Sequence, residues 1–139
     1  MTIRKAVPAD VAGMHRVRLA VTENRLSRSV ITADDYLNEI SVTGCGWVAE
    51  VDGVLRGFAV GNRVRSNIWA LFVEPGFERR GIGRALHDEM MRWMRSAGCR
   101  TVWLETDPET RAAAFYREAG WQFVHLTPEG DARFEMHFS

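Results

Sequence analysis

The sequence predicts an α/β fold in which a mixed β-sheet carries helices on both faces. Three observations predict it. Short apolar runs of strand length alternate with stretches whose apolar residues recur every three or four positions. Residues 67–106 read as strand, long helix, strand, an order that implies a parallel pair with a right-handed crossover. Asp52-Gly53 joins two other runs as a tight antiparallel hairpin, so the sheet is mixed.

In order, Thr2 to Ala6 is a short strand candidate. Pro8 opens a predicted helix to about Val21, with Val11, Met14, Val17 and Val21 near helical spacing. Thr22 to Val30 is polar and reads as a loop or irregular helix. Thr32 with Asp35 forms a capping pair for a second short helix, Ala33 to Ile40. Gly44 to Gly46 reads as a break. Trp47 to Val51 and Val54 to Val60 are the hairpin strands. Asn67 to Val73 is nearly all apolar, as a strand buried on both faces should be. An amphipathic helix begins near Gly81, carries Ile82, Leu86, Met90, Trp93, Met94 and Ala97 on one face, and stops at Gly98. Arg100 to Thr106 is the next strand. Asp107 and Pro108 read as N-cap and first helical position of a helix with the stripe Ala112, Phe115, Tyr116 and Ala119. Gly120 ends it. Trp121 to Leu126 and Arg133 to Phe138 are two last strands joined by Thr127-Pro128-Glu129-Gly130, the second alternating apolar with polar residues.

The 139 residues fit one domain spanning 1–139, and 46% apolar content places the chain among globular proteins. Eighteen basic residues balance eighteen acidic ones, which argues against a nucleic-acid partner. No apolar window has membrane-spanning length and the N-terminus lacks a signal core. Cys45 and Cys99 lie far apart, in no metal-ligand spacing, and read as two free thiols. These features predict a cytoplasmic protein without a metal.

The chemistry concentrates between Val73 and Leu86, where a buried strand ends and a helix begins among glycines. The first amides of a helix lack intrahelical acceptors and sit at the positive end of its dipole, which makes an anion site. Gly81 and Gly83 let a ligand approach the backbone. Arg79, Arg80 and Arg84 add charge suited to phosphate oxygens. A P-loop needs Lys and Ser or Thr after its second glycine, but Ile82 and Gly83 follow Gly81. A dinucleotide fingerprint needs a small residue where Leu86 stands. Both alternatives fail.

The segment Glu78-Arg79-Arg80-Gly81-Ile82-Gly83 resembles the coenzyme A loop of the GCN5-related N-acetyltransferase (GNAT) superfamily. Its usual pattern is Gln or Arg, two variable residues, Gly, one variable residue, then Gly or Ala. Phe115-Tyr116 followed by Gly120-Trp121 resembles that superfamily's later helix. The order of elements fits over nearly the whole chain, most specifically from Leu71 to Trp121. Glu78 departs from the pattern. A carboxylate there should weaken pyrophosphate binding modestly if it points inward.

The resemblance implies an acyl-CoA N-acyltransferase fold whose parallel strands, ending near Val73 and Thr106, splay apart. The pantetheine arm would lie in the gap against Leu71, Phe72 and Val73, and the pyrophosphate on Arg79, Arg80, Gly81, Ile82, Gly83 and Arg84. Acetyl-CoA would then be attacked directly by an amine, with strand amides stabilising the oxyanion and no metal needed. Tyr116 is the candidate acid for the leaving thiolate. Its alternative is a stripe aromatic whose hydroxyl merely finds a partner. Glu105 is the candidate base, against a solvated or arginine-paired carboxylate. Glu50, His15 and His87 are weaker candidates, His87 being placed on the exposed part of the long helix. Glu23, Asn24 and Arg25 would border the acceptor amine. Trp47, Trp69 and Trp103 read as core. A homodimer through the last strands is a further expectation, and an acyl-CoA-sensing regulatory module is the alternative to an enzyme.

Overall fold

The computed structural model describes residues 1–21 and 31–138. Among the described residues, seven strands form one sheet in the order β1-β2-β3-β4-β5-β7-β6. They are β1 (Thr2–Lys5), β2 (Gly44–Val51), β3 (Val54–Asn62), β4 (Asn67–Val73), β5 (Thr101–Thr106), β6 (Gln122–Leu126) and β7 (Ala132–His137). Among these strands β4 and β5 pair in parallel, and the other neighbouring pairs are antiparallel. The helices are α1 (Val11–Ala20), α2 (Ala33–Asn38), α3 (Ile82–Ser96) and α4 (Arg111–Glu118). A 3-10 turn, Pro8–Asp10, precedes α1, and a π-type stretch, Glu39–Thr43, prolongs α2.

Side-chain alternation along the strands sorts the apolar residues into two cores. Trp47, Ala49 and Ala59 face α3 and pack with its Ile82, Leu86, Met90 and Met94, joined by Tyr116 of α4 and Phe134 of β7. Val48, Phe58, Ala70 and Phe72 face the other way, onto Met14 and Val17 of α1 and Tyr36 of α2. Burying each large apolar side chain contributes about 1.5–3 kcal/mol. The helices therefore cover both faces, as the sequence predicts.

Two local expectations change. The glycines at 44 and 46 do not break the chain but open β2, because a side chain there would collide with packed neighbours. A Cβ on Gly44 would lie 1.9 Å from the Gly61 carbonyl oxygen. The expected cap of α4 also shifts. Asp107 Oδ1 accepts from the Glu109 amide at 3.0 Å, closing a turn through Pro108. Thr110 then caps the helix by accepting from the Ala113 amide at 3.3 Å. The Thr32 cap of α2 stands as expected, with Thr32 Oγ1 accepting from Asp35 N at 3.2 Å.

Candidate functional site

β4 and β5 meet at one end only. Asn67 pairs with Trp103, and the Trp103 amide donates to the Ser66 carbonyl at 3.1 Å. Beyond that point no ladder bond joins them among the described residues, so one edge of β4 from Ala70 to Val73 lacks a strand partner. Unpaired backbone donors and acceptors inside a protein need partners, and a ligand with amides of its own can supply them. A cleft of about 870 Å³ opens there. Leu71, Phe72 and Val73 of β4 line it, with Glu105 and Thr106 of β5 and Phe115 and Tyr116 of α4.

The loop between β4 and α3 closes one end. Gly76, Arg79 and Gly81 all have positive φ, at 97°, 62° and 81°. Gly81 is the N-cap of α3 in the left-handed region, and among the described residues no side chain caps the helix. Glycine at such a position leaves the first amides of α3 uncovered, where a serine or aspartate cap would have taken one. Gly83 lines the cleft. A Cβ there would touch Val73 and Phe115 at ordinary distances, 3.5 and 3.8 Å, so a longer side chain would extend into the cleft. This end suits a pyrophosphate.

The three loop arginines diverge. Arg79 lines the cleft. The Arg80 guanidinium stacks 4.9 Å from the centre of the Phe77 ring. Arg84 is held by Asp88, its Nε donating at 3.1 Å. Ile82 is 2% exposed and belongs to the core, so only its backbone can face a ligand.

Glu78 does point into the cleft. Its carboxylate accepts from the Gly76 amide at 2.6 Å and pairs with Arg111 at the start of α4. Its own amide and that of Gly76 hold this carboxyl below the usual range, with Arg111 adding to the effect. A fixed negative charge thus stands at the anion-binding end and bridges the two walls.

Tyr116 is 5% exposed and lines the other end. Its ring lies edge-on to Phe115 and Trp121, with centroids 5.4 Å away in both cases. Burial alone pushes its hydroxyl well above the ordinary tyrosine range. A second ring of partners locks this group. Trp121 Nε1 donates to His87 Nε2 at 2.9 Å, and His87 Nδ1 meets Asp88 Oδ1 at 2.9 Å. Since Nε2 accepts, the neutral imidazole carries its proton on Nδ1 and donates to Asp88. Burial pushes the His87 pKa down. His87 is 4% exposed, contrary to the expectation that it faces solvent. It lies two turns before Met94 on the same side of α3, at the margin of the apolar stripe, where helical spacing alone decides neither face.

Glu105, next to last in β5, lines the cleft with an exposed carboxylate 3.8 Å from Arg133. Glu50 is taken by Arg4, and His15 Nδ1 by the Tyr36 hydroxyl at 3.0 Å. Trp47 is core, whereas Trp69 and Trp103 are half-buried. Of the residues singled out from sequence, the cleft brings together Leu71, Phe72, Val73, Arg79, Gly83, Glu105 and Tyr116. Glu23, Asn24 and Arg25 lie outside the described residues. Arg111 was missed, although a cation at the start of a helix, where the dipole disfavours it, is a signal that it serves something else.

Comparison with known proteins yields concordant findings. The model of the Acetyltransferase (GNAT) family matches residues 14–121. The aminoglycoside N(6′)-acetyltransferase type 1 of Stenotrophomonas maltophilia is 31% identical over 139 aligned positions, spanning 87% of this chain and 86% of that one. Among solved structures, the PaiA N-acetyltransferase of Thermoplasma acidophilum in complex with coenzyme A superposes with a TM-score of 0.83 at 18% identity, over 99% of this chain and 98% of that one. YncA of Salmonella typhimurium, a putative acetyltransferase with acetyl-CoA, superposes with a TM-score of 0.84 at 18% identity, over 100% and 94%.

Proposed function

Because the chain belongs to the Acetyltransferase (GNAT) family, we propose that the cleft between β4 and β5 is where its acetyl transfer takes place. The protein is an acyl-CoA-dependent N-acetyltransferase that moves the acetyl group of acetyl-CoA to an amine. The observation that carries the site assignment is the parting of β4 from β5 directly beside an uncapped helix N-terminus. One feature offers strand backbone to a chain containing amides. The other offers amides to a pyrophosphate.

The amides from Gly81 to Arg84, with Arg79, hold the pyrophosphate, and the free edge of β4 at Leu71, Phe72 and Val73 holds the pantetheine arm. The amine adds to the thioester carbonyl, its C–S bond breaks, and the thiolate takes a proton. Tyr116 is the donor. Its raised pKa makes full transfer to a thiolate uphill, since a free thiol titrates near 8.5. Its proton must therefore be replaced, as it leaves, by one from the amine side. Glu105, exposed at the cleft, relays that proton through water.

Glu23, Asn24 and Arg25 follow α1 directly and are the proposed acceptor contacts, supported by Val21 bordering the cleft. The unbridged thiols of Cys45 and Cys99 support a cytoplasmic location. Exposed Phe123, Val124 and Leu126 on edge strand β6 support pairing with a second copy.

The test is thiol release from acetyl-CoA across an amine panel. Wild type should turn over with at least one amine. Tyr116→Phe should lower kcat roughly 10²- to 10⁴-fold and leave the KM for acetyl-CoA within a few-fold. Transfer by Tyr116→Phe at the wild-type rate would refute the acid assignment.

A further inference from the structure

An acid that gives its proton to a sulfur must keep its hydroxyl free of other acceptors. Among the described residues the Tyr116 hydroxyl has no hydrogen-bond partner, and burial alone acts on it. Its aim therefore comes from packing. Three rings pack on it: Phe115 and Trp121 edge-on with centroids 5.4 Å away, and Phe134 tilted at 6.3 Å. Phe134 is a fully buried residue of the sheet. The other two rings rest on one residue of another element, His87 on the second turn of α3.

The His87 ring meets Phe115 edge-on at 5.6 Å and Trp121 at 6.1 Å between centroids. It also accepts the Trp121 indole N–H at 2.9 Å, and both side chains are 4% exposed. Trp121 lies just beyond α4, after Gly120 at φ 95°, and its amide donates to the Tyr116 carbonyl at 2.9 Å. The indole is thus tied to Tyr116 through the backbone and to α3 through its side chain. On the far side of His87, Nδ1 meets Asp88 Oδ1 at 2.9 Å, and Asp88 in turn accepts from Arg84 Nε at 3.1 Å. These contacts fix the plane and tautomer of the imidazole. A leucine and a phenylalanine would fill the space of His87 and Trp121 with no polar atom to satisfy. What the histidine and tryptophan add is direction, because a hydrogen bond has a preferred angle and apolar contact has none.

We infer that His87 is a positioning residue for the acid, aiming the Tyr116 hydroxyl at the departing sulfur through Trp121 and Phe115. His87 is not on the cleft wall, so it acts through these rings and not by touching coenzyme or amine. The inference rests on the reading of Tyr116 as the acid and deepens it. A displacement of about 1 Å at a reacting group can slow the chemistry on the order of 100-fold, while the backbone contacts at the loop end stay in place. The signature is a fall in kcat with the KM for acetyl-CoA kept.

The experiment compares His87→Leu, His87→Gln, Trp121→Phe and the double variant His87→Leu/Trp121→Phe. Rates are taken at pH 8 per coenzyme-binding site, and stability by denaturant titration. His87→Leu and Trp121→Phe should each lower kcat roughly 10- to 100-fold and leave the KM for acetyl-CoA within about 2-fold. His87→Gln keeps an acceptor and should recover most of the rate. The double variant separates positioning from stability. With both polar partners gone it should be more stable than His87→Leu, yet no faster. A wild-type kcat in His87→Leu, a loss confined to KM, or a rate that returns with stability in the double variant would each overturn the inference. So would losses that multiply in the double variant, since they would show two independent effects.

If no amine accepts acetyl, or if Tyr116→Phe is as fast as wild type, it is the reading of Tyr116 as the acid that fails. Whether His87 sets the place of the Tyr116 ring is then decided by fluorine NMR of protein labelled with 3-fluorotyrosine. The chain has two tyrosines, so Tyr36→Phe identifies the Tyr116 signal. His87→Leu should move that signal and His87→Gln should leave it near its wild-type position. An unmoved signal in His87→Leu refutes the positioning role.

Discussion

The two ends of the cleft meet their ligands with different parts of the chain. At the loop end the contacts are backbone: the free edge of β4, the uncapped start of α3 and a turn held open by positive φ at Gly76, Arg79 and Gly81. At the far end they are side chains, the buried Tyr116 and the exposed carboxylate of Glu105. Backbone sites tolerate exchange of their side chains as long as the path of the chain and the space above it survive. Side-chain sites depend on individual atoms. The same molecule should therefore respond very unequally to substitutions a few ångströms apart.

The largest departure is expected behind Tyr116. His87→Ala removes the acceptor of a buried indole N–H and opens a cavity, and should destabilise the fold by about 2–4 kcal/mol in denaturant titrations. The pH dependence gives a finer mark. The folded-state pKa of His87 is depressed, so the unfolded chain takes up a proton first, near pH 6.5. Stability contributed by neutral His87 is thus full above about pH 6.5 and declines as pH falls towards the folded pKa. Thermal melts of wild type should drop between pH 7 and 5, and His87→Gln, which keeps an acceptor but cannot titrate, should flatten that drop. An unchanged slope would show that His87 has no such role. Asp10, held by Arg4 and the Val7 amide, titrates lower and leaves this window clear.

At the loop end a smaller change of the opposite sign is expected. Glu78→Gln removes the carboxylate that sits on the Gly76 amide and pairs with Arg111. Acetyl-CoA affinity should then rise roughly 2- to 5-fold, the scale of one charge near a helix start, and the gain should shrink with added salt. Weaker binding would mean that Glu78 braces the loop more than it competes for it.

The loop end was legible in the sequence because backbone demands leave marks. Glycines stand where φ must be positive, and an apolar stripe at helical spacing fixes where α3 begins. The far end was less legible. His87 is a polar residue on a largely buried face, and a tertiary partner, Trp121, decides its place. The cap of α4 was misplaced because Asp107 and Thr110 are both good cap residues. A turn through Pro108 chose between them.

The measurement that bears most directly on the central claim is a calorimetric titration with acetyl-CoA of wild type beside Gly83→Glu, whose side chain would enter the cleft with a negative charge. Wild type should bind saturably at one site, and Gly83→Glu should lose at least 100-fold in affinity while keeping a normal melting transition, roughly 2.7 kcal/mol or more of binding free energy. Equal binding by the two proteins would contradict the placement of the pyrophosphate at the start of α3, and with it the assignment of the two ends of the cleft.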